Sequence, residues 1–248
     1  MKGLDLMYIF FIVLIAIILI RLGEFISFFA RAKYFRRGIT DQKREKALNL
    51  YRFAVKLGGC SKMTKINYAY LALRHGRVKE AEGILLKELT TARKNADIVA
   101  AKSTLALVHW KKNEIDEAIV LLEQVIEKGA NTTAYGSLGH MYNLKGNYHK
   151  ALDFNKMALE YAPDDKIIMD NYGTSLYKTG NIDEAKKVYK ELIEQEPTFP
   201  EAYVTYANIL KEEGNKGAAQ QMLKKALQAN FTFLTTMTKD EIKAQLEE

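Results

Sequence analysis

The sequence lacks the residue patterns that build metal, nucleotide and disulfide sites. Cys60 is the single cysteine, which excludes an internal disulfide framework and a zinc site built on cysteines. The four histidines lack the spacing that places two imidazoles on one face of a helix. No glycine-rich phosphate loop occurs either. We therefore expect no catalytic residue, no cofactor and no metal, and we expect that the chain is not an enzyme.

Positive charge is scarce outside the N-terminal quarter, although the formal net charge is +7. Residues 1–61 hold 11 Lys/Arg against 4 Asp/Glu, and residues 62–248 hold 26 of each. A neutral body has no broad surface to follow a phosphate backbone. The charge distribution therefore argues against nucleic acid as the main partner.

A long apolar run lies at the N-terminus. Leu6 to Ile20 are fifteen apolar residues without a break, which a helix extends over about 22 Å. A bilayer core needs about 30 Å, and the apolar pattern continues past Glu24 to Phe29. We predict a membrane anchor over residues 1–30, with its span at about 6–27.

Two alternatives to an uncleaved anchor are a cleaved signal peptide and an interfacial helix. A signal peptide needs a basic start, yet Lys2 is offset by Asp5. The Ala30-Arg31-Ala32 stretch resembles a cleavage site but lies ten residues beyond the apolar run. The pattern favours the anchor over both alternatives.

Basic residues flank the predicted span on one side. Because positive charge stays in the cytoplasm, we predict a single-pass protein of the plasma or inner membrane whose body faces the cytoplasm. The same residues can contact anionic lipid headgroups. They are Arg31, Lys33, Arg36, Arg37, Lys43, Arg44 and Lys46, against Lys2 alone before the span.

Residues 166–199 have the pattern of a helical hairpin. Gly180 separates two apolar-periodic segments and tolerates the left-handed conformation that ends a helix. Asp183 and Glu184 begin the second helix, where the dipole favours negative charge, and Pro197 ends it. The predicted inward-facing residues are Met169, Tyr172, Leu176, Ala185, Val188, Tyr189 and Leu192.

This hairpin recurs along the chain. The small residue of each second helix is spaced at 34, 37, 33, 34 and 34 residues. These residues are Ala47, Ala81, Ala118, Ala151, Ala185 and Ala219. The additional residues in the 37-residue spacing predict a longer loop near 90–97. One hairpin cannot bury its own apolar face, so neighbouring copies must stack.

The register resembles the tetratricopeptide repeat (TPR) family. Residues 132–165, 166–199 and 200–233 match its pattern well, and the units from about 62 and 99 match it more weakly. Asn155 departs from the pattern, which has a large residue there. In unit 166–199 the matching residues are Met169, Tyr172, Gly173, Leu176, Ala185, Tyr189, Leu192 and Pro197.

The resemblance implies an all-α fold with a right-handed TPR superhelix of about five repeats plus capping helices, and the apolar run places an N-terminal transmembrane helix before it. Residues 31–61 are expected to hold the basic segment and a capping helix, whose missing partner would fall at 28–40. The solenoid covers 62–233, with units at about 62–98, 99–131, 132–165, 166–199 and 200–233. Thr238-Lys239-Asp240-Glu241 reads as a capping box that opens a C-terminal cap over 234–248.

In this family a concave groove lined by the first helices is the usual peptide-binding face. Basic residues along one edge would favour acidic or carboxylate partners. Carried over from the family pattern, the candidate partner-binding residues are Tyr70, Arg74, Trp110, Lys111, His140, Asn143, Asp170, Thr174, Tyr177, Lys178, Asn208 and Lys211.

These features together predict a membrane-tethered scaffold that binds a protein or peptide partner in the groove. Two alternatives remain open: an exported or periplasmic-facing repeat protein in envelope assembly, and a non-catalytic regulatory subunit of an enzyme complex.

Overall fold

The computed structural model describes residues 2–36, 38–129 and 131–247. Within these residues all regular structure is helical, with no strand. The chain divides into two compact units, residues 1–104 and 105–248, and each is described by itself. Arg37 of the predicted basic flank lies outside the described residues.

The first unit contains a long N-terminal helix and the hairpins that follow it. Its helices are α1 (Lys2–Tyr34), α2 (Asp41–Leu57), α3 (Lys62–Arg74) and α4 (Val78–Thr91). α2 lies within the segment 31–61, and the Thr40 side chain caps its N-terminus.

The two halves of α1 have different surroundings. The side chains of residues 6–18 are exposed, and α1 from Leu6 to Tyr34 is long and apolar enough to cross a membrane. A signal sequence passes the same test of length and composition. From Gly23 onward one face of α1 is buried against α2. A Cβ at Gly23 would lie 2.4 Å from the Gly58 carbonyl oxygen, so only glycine permits this approach.

Polar side chains also tie the second half of α1 to the first unit. The Glu24 carboxylate accepts hydrogen bonds from the Ser61 backbone N–H and from Thr64 Oγ1, the latter at 2.9 Å. Tyr34 Oη lies 2.8 Å from His75 Nε2. The first helix that we predicted at 28–40 is not a separate helix. It is the C-terminal end of α1, which continues without a break to Tyr34 and packs against α2.

The described residues of the second unit begin within α5 (Asn95–Lys111) and include α6 (Ile115–Glu127), three complete hairpins and a C-terminal helix. The predicted longer loop near 90–97 is wrong, because helix occupies most of that stretch and only residues 92–94 separate α4 from α5. The other helices are α7 (Thr132–Leu144), α8 (Tyr148–Tyr161), α9 (Lys166–Lys178), α10 (Ile182–Glu194), α11 (Pro200–Glu212), α12 (Lys216–Gln228) and α13 (Lys239–Glu247).

The turns and the core of the second unit follow the predicted register. Gly180 has a φ of 83°, and Asn113 takes the left-handed conformation at the equivalent turn with a φ of 67°. The cluster around Tyr189 contains the predicted inward-facing residues of 166–199, with Val188 partly buried. The capping box is also confirmed, since the Glu241 backbone N–H donates to Thr238 Oγ1 at 3.2 Å.

Candidate partner-binding site

The twelve candidate residues lie on the first helices of the hairpins. Tyr70 and Arg74 lie on α3 in the first unit, where the Arg74 guanidinium lies 5.9 Å from the Tyr70 ring centroid. The remaining ten lie in the second unit, and we call them the first-helix face. They are Trp110, Lys111, His140, Asn143, Asp170, Thr174, Tyr177, Lys178, Asn208 and Lys211.

Trp110, Lys111 and His140 come together at one end of the first-helix face. The Trp110 and His140 rings meet edge to face, with centroids 5.0 Å apart. Lys111 Nζ lies 4.6 Å from the Trp110 ring centroid and 4.8 Å from that of Phe233. The ammonium thus contacts two aromatic rings, an arrangement that the ring quadrupoles favour.

Burial changes the protonation of this cluster. It lowers the pKa of Lys111, and the negative charge of Glu201 opposes that shift. It also lowers the pKa of His140 to about 4; the Lys111 charge adds to this effect, and a hydrogen bond with Asn171 opposes it. At neutral pH the site therefore presents a single cation beside a neutral imidazole.

Phe233 was not among the predicted residues, although it contacts one of them. It lies in the non-helical segment 229–238 between α12 and α13. The Thr236 backbone N–H donates to Glu201 Oε1 at 2.8 Å, and Thr236 Oγ1 donates to the same oxygen at 3.1 Å. Asn230 N donates to the Thr198 carbonyl at 2.8 Å. A large aromatic residue in a non-periodic polar stretch was the available sequence signal.

Asp170 and Thr174 are bonded to a buried tyrosine on the neighbouring helix. Tyr189 Oη lies 3.0 Å from Asp170 Oδ1, to which it donates, and 2.8 Å from Thr174 Oγ1. Burial raises the pKa of Asp170 to about 7; the Glu201 charge adds to this, and the bond from Tyr189 opposes it. The Asp170 carboxyl therefore stabilises the hairpin internally as well as lying on the first-helix face.

Asn143 belongs to a buried polar network that connects α7, α8 and α9. Its Nδ2 donates to the Asn171 carbonyl at 2.9 Å, and its Oδ1 accepts from Ser175 Oγ at 2.9 Å. Asn155 Nδ2 donates to Ser175 Oγ at 2.9 Å, whereas the buried Asn155 Oδ1 has no hydrogen-bond partner among the residues that the structure describes. Both polar atoms of the Asn143 side chain are thus hydrogen-bonded to α9 within the fold.

The remaining candidates extend along α9 and α11. Lys178 Nζ lies 5.3 Å from the Tyr177 ring centroid, and the Tyr177 hydroxyl donates to Glu212. Asn208 is half-buried, and Lys211 is exposed. Within the part of the chain that the structure describes, no group of three His, Cys, Asp or Glu side chains is placed to hold a metal ion.

Comparison with known proteins identifies the type of repeat. A family model described as "Tetratricopeptide repeat" matches residues 103–166, and a second with that description matches residues 176–232. Stacked helical hairpins at this spacing define a solenoid repeat protein. Residues 103–166 and 176–232 of this chain therefore contain tetratricopeptide repeats.

Human protein O-mannosyl-transferase TMTC3 is 26% identical over 216 residues, which cover 82% of this chain and 20% of that protein. The chain spans about a fifth or less of the length of the curated relatives it matches. This relative is named as a transferase, whereas the TPR fold typically serves as a non-catalytic interaction scaffold.

Solved structures share the fold at low identity. A tetratricopeptide repeat protein from Parabacteroides merdae superposes with a TM-score of 0.62 at 16% identity, covering 82% of this chain and 76% of that one. A thermophilic TPR protein of Thermus thermophilus gives a TM-score of 0.60 at 16% identity, covering 75% and 97%. These likenesses bear on the fold alone.

Proposed function

We propose that this chain is a membrane-tethered, non-catalytic scaffold that binds a protein or peptide partner on its first-helix face. The observation that carries the proposal is the cluster of Trp110, Lys111 and His140, whose Lys111 ammonium is contacted by Phe233 from the chain's own segment 229–238. Aromatic and cationic side chains are the residues that most often anchor a partner.

The tether is the first half of α1. Exposed apolar side chains over residues 6–18 would be costly in water and are favourable in hydrocarbon. Because α1 continues into its contact with α2, the first hairpin would be held next to the bilayer without a flexible linker. The basic residues that follow favour a cytoplasmic body and contact with anionic lipid.

Charge reversal on the first-helix face tests the binding role. Lys178→Glu and Lys211→Glu together should reduce recovery of crosslinked partners at least tenfold in quantitative affinity purification. The matched control reverses Lys156 and Lys190, which are exposed on the second helices α8 and α10. Equal loss in both double variants, or in neither, would contradict binding on the first-helix face.

Reporter fusions at the C-terminus test the tether and its orientation. A fluorescent reporter that matures only in the cytoplasm should be active, and alkaline phosphatase, which needs an oxidising compartment, should be inactive. The intact mass of the membrane-extracted chain should include α1. Phosphatase activity with a mature N-terminus near Lys33 would instead support the exported protein.

A further inference from the structure

Phe233 contacts the first-helix face from the non-helical segment that follows α12. Its side chain is 40% exposed, and its ring nonetheless covers the Lys111 ammonium, which is half-buried. The same ammonium lies 4.6 Å from the Trp110 ring centroid, and the Trp110 and His140 rings meet edge to face. Trp110, Lys111 and His140 thus form a small site, and the Phe233 ring contacts its Lys111 ammonium. We call Trp110, Lys111 and His140 the aromatic subsite.

The segment that carries Phe233 is held by a second contact three residues later. Glu201 Oε1 accepts both the backbone N–H and the hydroxyl of Thr236. Glu201 lies at the start of α11 and is close enough to Lys111 for its charge to raise the pKa of the ammonium. One ring on Lys111 and one donor pair on Glu201 therefore fix the direction and spacing of a bound segment.

Segment 229–238 contacts Lys111 and Glu201 in the way that a bound peptide would. Backbone bonding to Glu201 is independent of sequence, whereas the ring on Lys111 selects an aromatic residue. Phe233 remains partly exposed, so a competing segment can reach the same position. The other aromatic residue of the segment, Phe231, packs against the α11–α13 core instead, so it anchors the segment rather than occupying the subsite.

We propose that the aromatic subsite binds an aromatic side chain of an extended partner segment, with a serine or threonine three residues later at Glu201, and that Phe233 and Thr236 occupy these positions when no partner is bound. The inference rests on the proposed function, because it specifies the partner of the same face. A partner must displace the chain's own segment before it binds.

Trp110 is the single tryptophan of the chain and reports directly on the subsite. In the full-length protein in detergent, Phe233→Ala should shift Trp110 emission to longer wavelength and increase its quenching by acrylamide at least twofold. Phe53→Ala, at an exposed aromatic residue of α2, is the control and should leave both signals unchanged. Phe233→Leu keeps the apolar bulk without the ring and should give an intermediate signal, which separates the loss of the ring from unfolding.

Binding in trans tests occupancy. The probe is a labelled synthetic peptide with the sequence of residues 229–238, ANFTFLTTMT. Its affinity, measured by fluorescence anisotropy, should be at least tenfold higher for the Phe233→Ala protein than for the natural chain. A peptide with alanine at Phe233 should lose this gain, and a Lys111→Met/Phe233→Ala protein should bind the natural peptide weakly.

Equal binding to both proteins, equal binding of the alanine peptide, or an unchanged Trp110 signal in Phe233→Ala would overturn the inference. Its failure is distinguishable from failure of the proposed function. If only the inference fails, Lys178→Glu and Lys211→Glu still abolish partner capture. If only the proposed function fails, the peptide still binds Phe233→Ala while capture is insensitive to those charges.

Discussion

The repeat at 132–165 and the repeat at 166–199 share one backbone plan but hold their helices together with different chemistry. Each has a glycine at the closest approach of its two helices, Gly139 and Gly173. Opposite these glycines lie Asn155 and Tyr189, which are equivalent in the 34-residue register. Both side chains are fully buried.

The two side chains bond in different directions. Tyr189 bonds back to α9 of its own hairpin through Asp170 and Thr174. Asn155 bonds forward, to the Asn171 carbonyl at 3.2 Å and to Ser175, so that it links its hairpin to the next one. A buried polar residue is therefore tolerated at this repeat position when the first helix of the next hairpin supplies its hydrogen-bond partners.

The largest effect is expected from adding a methyl group at either glycine. A Cβ at Gly139 would lie 1.7 Å from Asn155 Oδ1, and one at Gly173 would lie 2.8 Å from Tyr189 Cε2. Each alanine variant should lose about 3 kcal/mol of unfolding free energy, because neither buried side chain has room to move. Urea unfolding followed by circular dichroism measures the loss.

Gly217→Ala is the control for this prediction. Within the described part of the chain, no heavy atom lies within 4 Å of a Cβ built at Gly217 in α12, so alanine should stabilise the chain by about 0.5–1 kcal/mol through helix propensity. The double variant Gly139→Ala/Asn155→Ala should recover part of the loss, since the clash is removed. If the double variant recovers no unfolding free energy, the clash with Asn155 is not the reason that position 139 requires glycine.

The next effect is a pH dependence of opposite sign in the two repeats. Asp170 has a folded-state pKa near 7, above its usual 3.8, so its contribution to stability is full below about pH 4 and is lost as pH rises to 7. His140 has a pKa near 4, below its usual 6.5, so its contribution is lost as pH falls from 6.5 to 4.

Variants separate these two titrations. Relative to the natural chain, Asp170→Asn should gain about 2 kcal/mol of unfolding free energy between pH 5 and pH 7.5. Relative to the natural chain, His140→Gln should gain about 2 kcal/mol of unfolding free energy when the pH is lowered from 7.5 to 5. Unfolding in urea at the two pH values tests both signs, and parallel behaviour of the two variants would contradict the assigned environments.

Loss of the Asn155 amide should have an effect of similar size. Asn155→Ala removes two donated hydrogen bonds and leaves a cavity, at a cost of about 2 kcal/mol. Asn155→Asp, which keeps the volume but replaces the donors with a carboxylate, should cost at least as much at pH 7. If the aspartate is tolerated without loss, the donated bonds are not what holds the two repeats together.

Tyr189→Phe should have the smallest effect, about 1 kcal/mol, because the ring stays in place and only the hydroxyl contacts are lost. Without that donor the pKa of Asp170 should rise further, since the bond from Tyr189 opposes the effect of burial. NMR titration of a specifically labelled Asp170 carboxyl measures the shift. A lower pKa in the variant would reverse the assigned role of the hydroxyl.

The repeat register predicted the hairpins and the turn at Gly180, because apolar periodicity and glycine placement are local properties of the sequence. It also singled out Asn155 as a departure. The network around Asn155 was not predictable, since its partners Asn171 and Ser175 belong to the next hairpin. Phe233 was not predicted either, because its contact with Lys111 joins residues distant in the sequence and depends on the path of segment 229–238.

Site-specific photo-crosslinking in cells tests the central claim most directly. A benzophenone amino acid replaces Thr174 or Lys178 on the first-helix face, and Lys187 or Lys190 on the second helix of the same hairpin serves as control. We predict that the same partner protein is captured from both first-helix positions and from neither control position. Capture from α10 alone would contradict a binding role for the first-helix face.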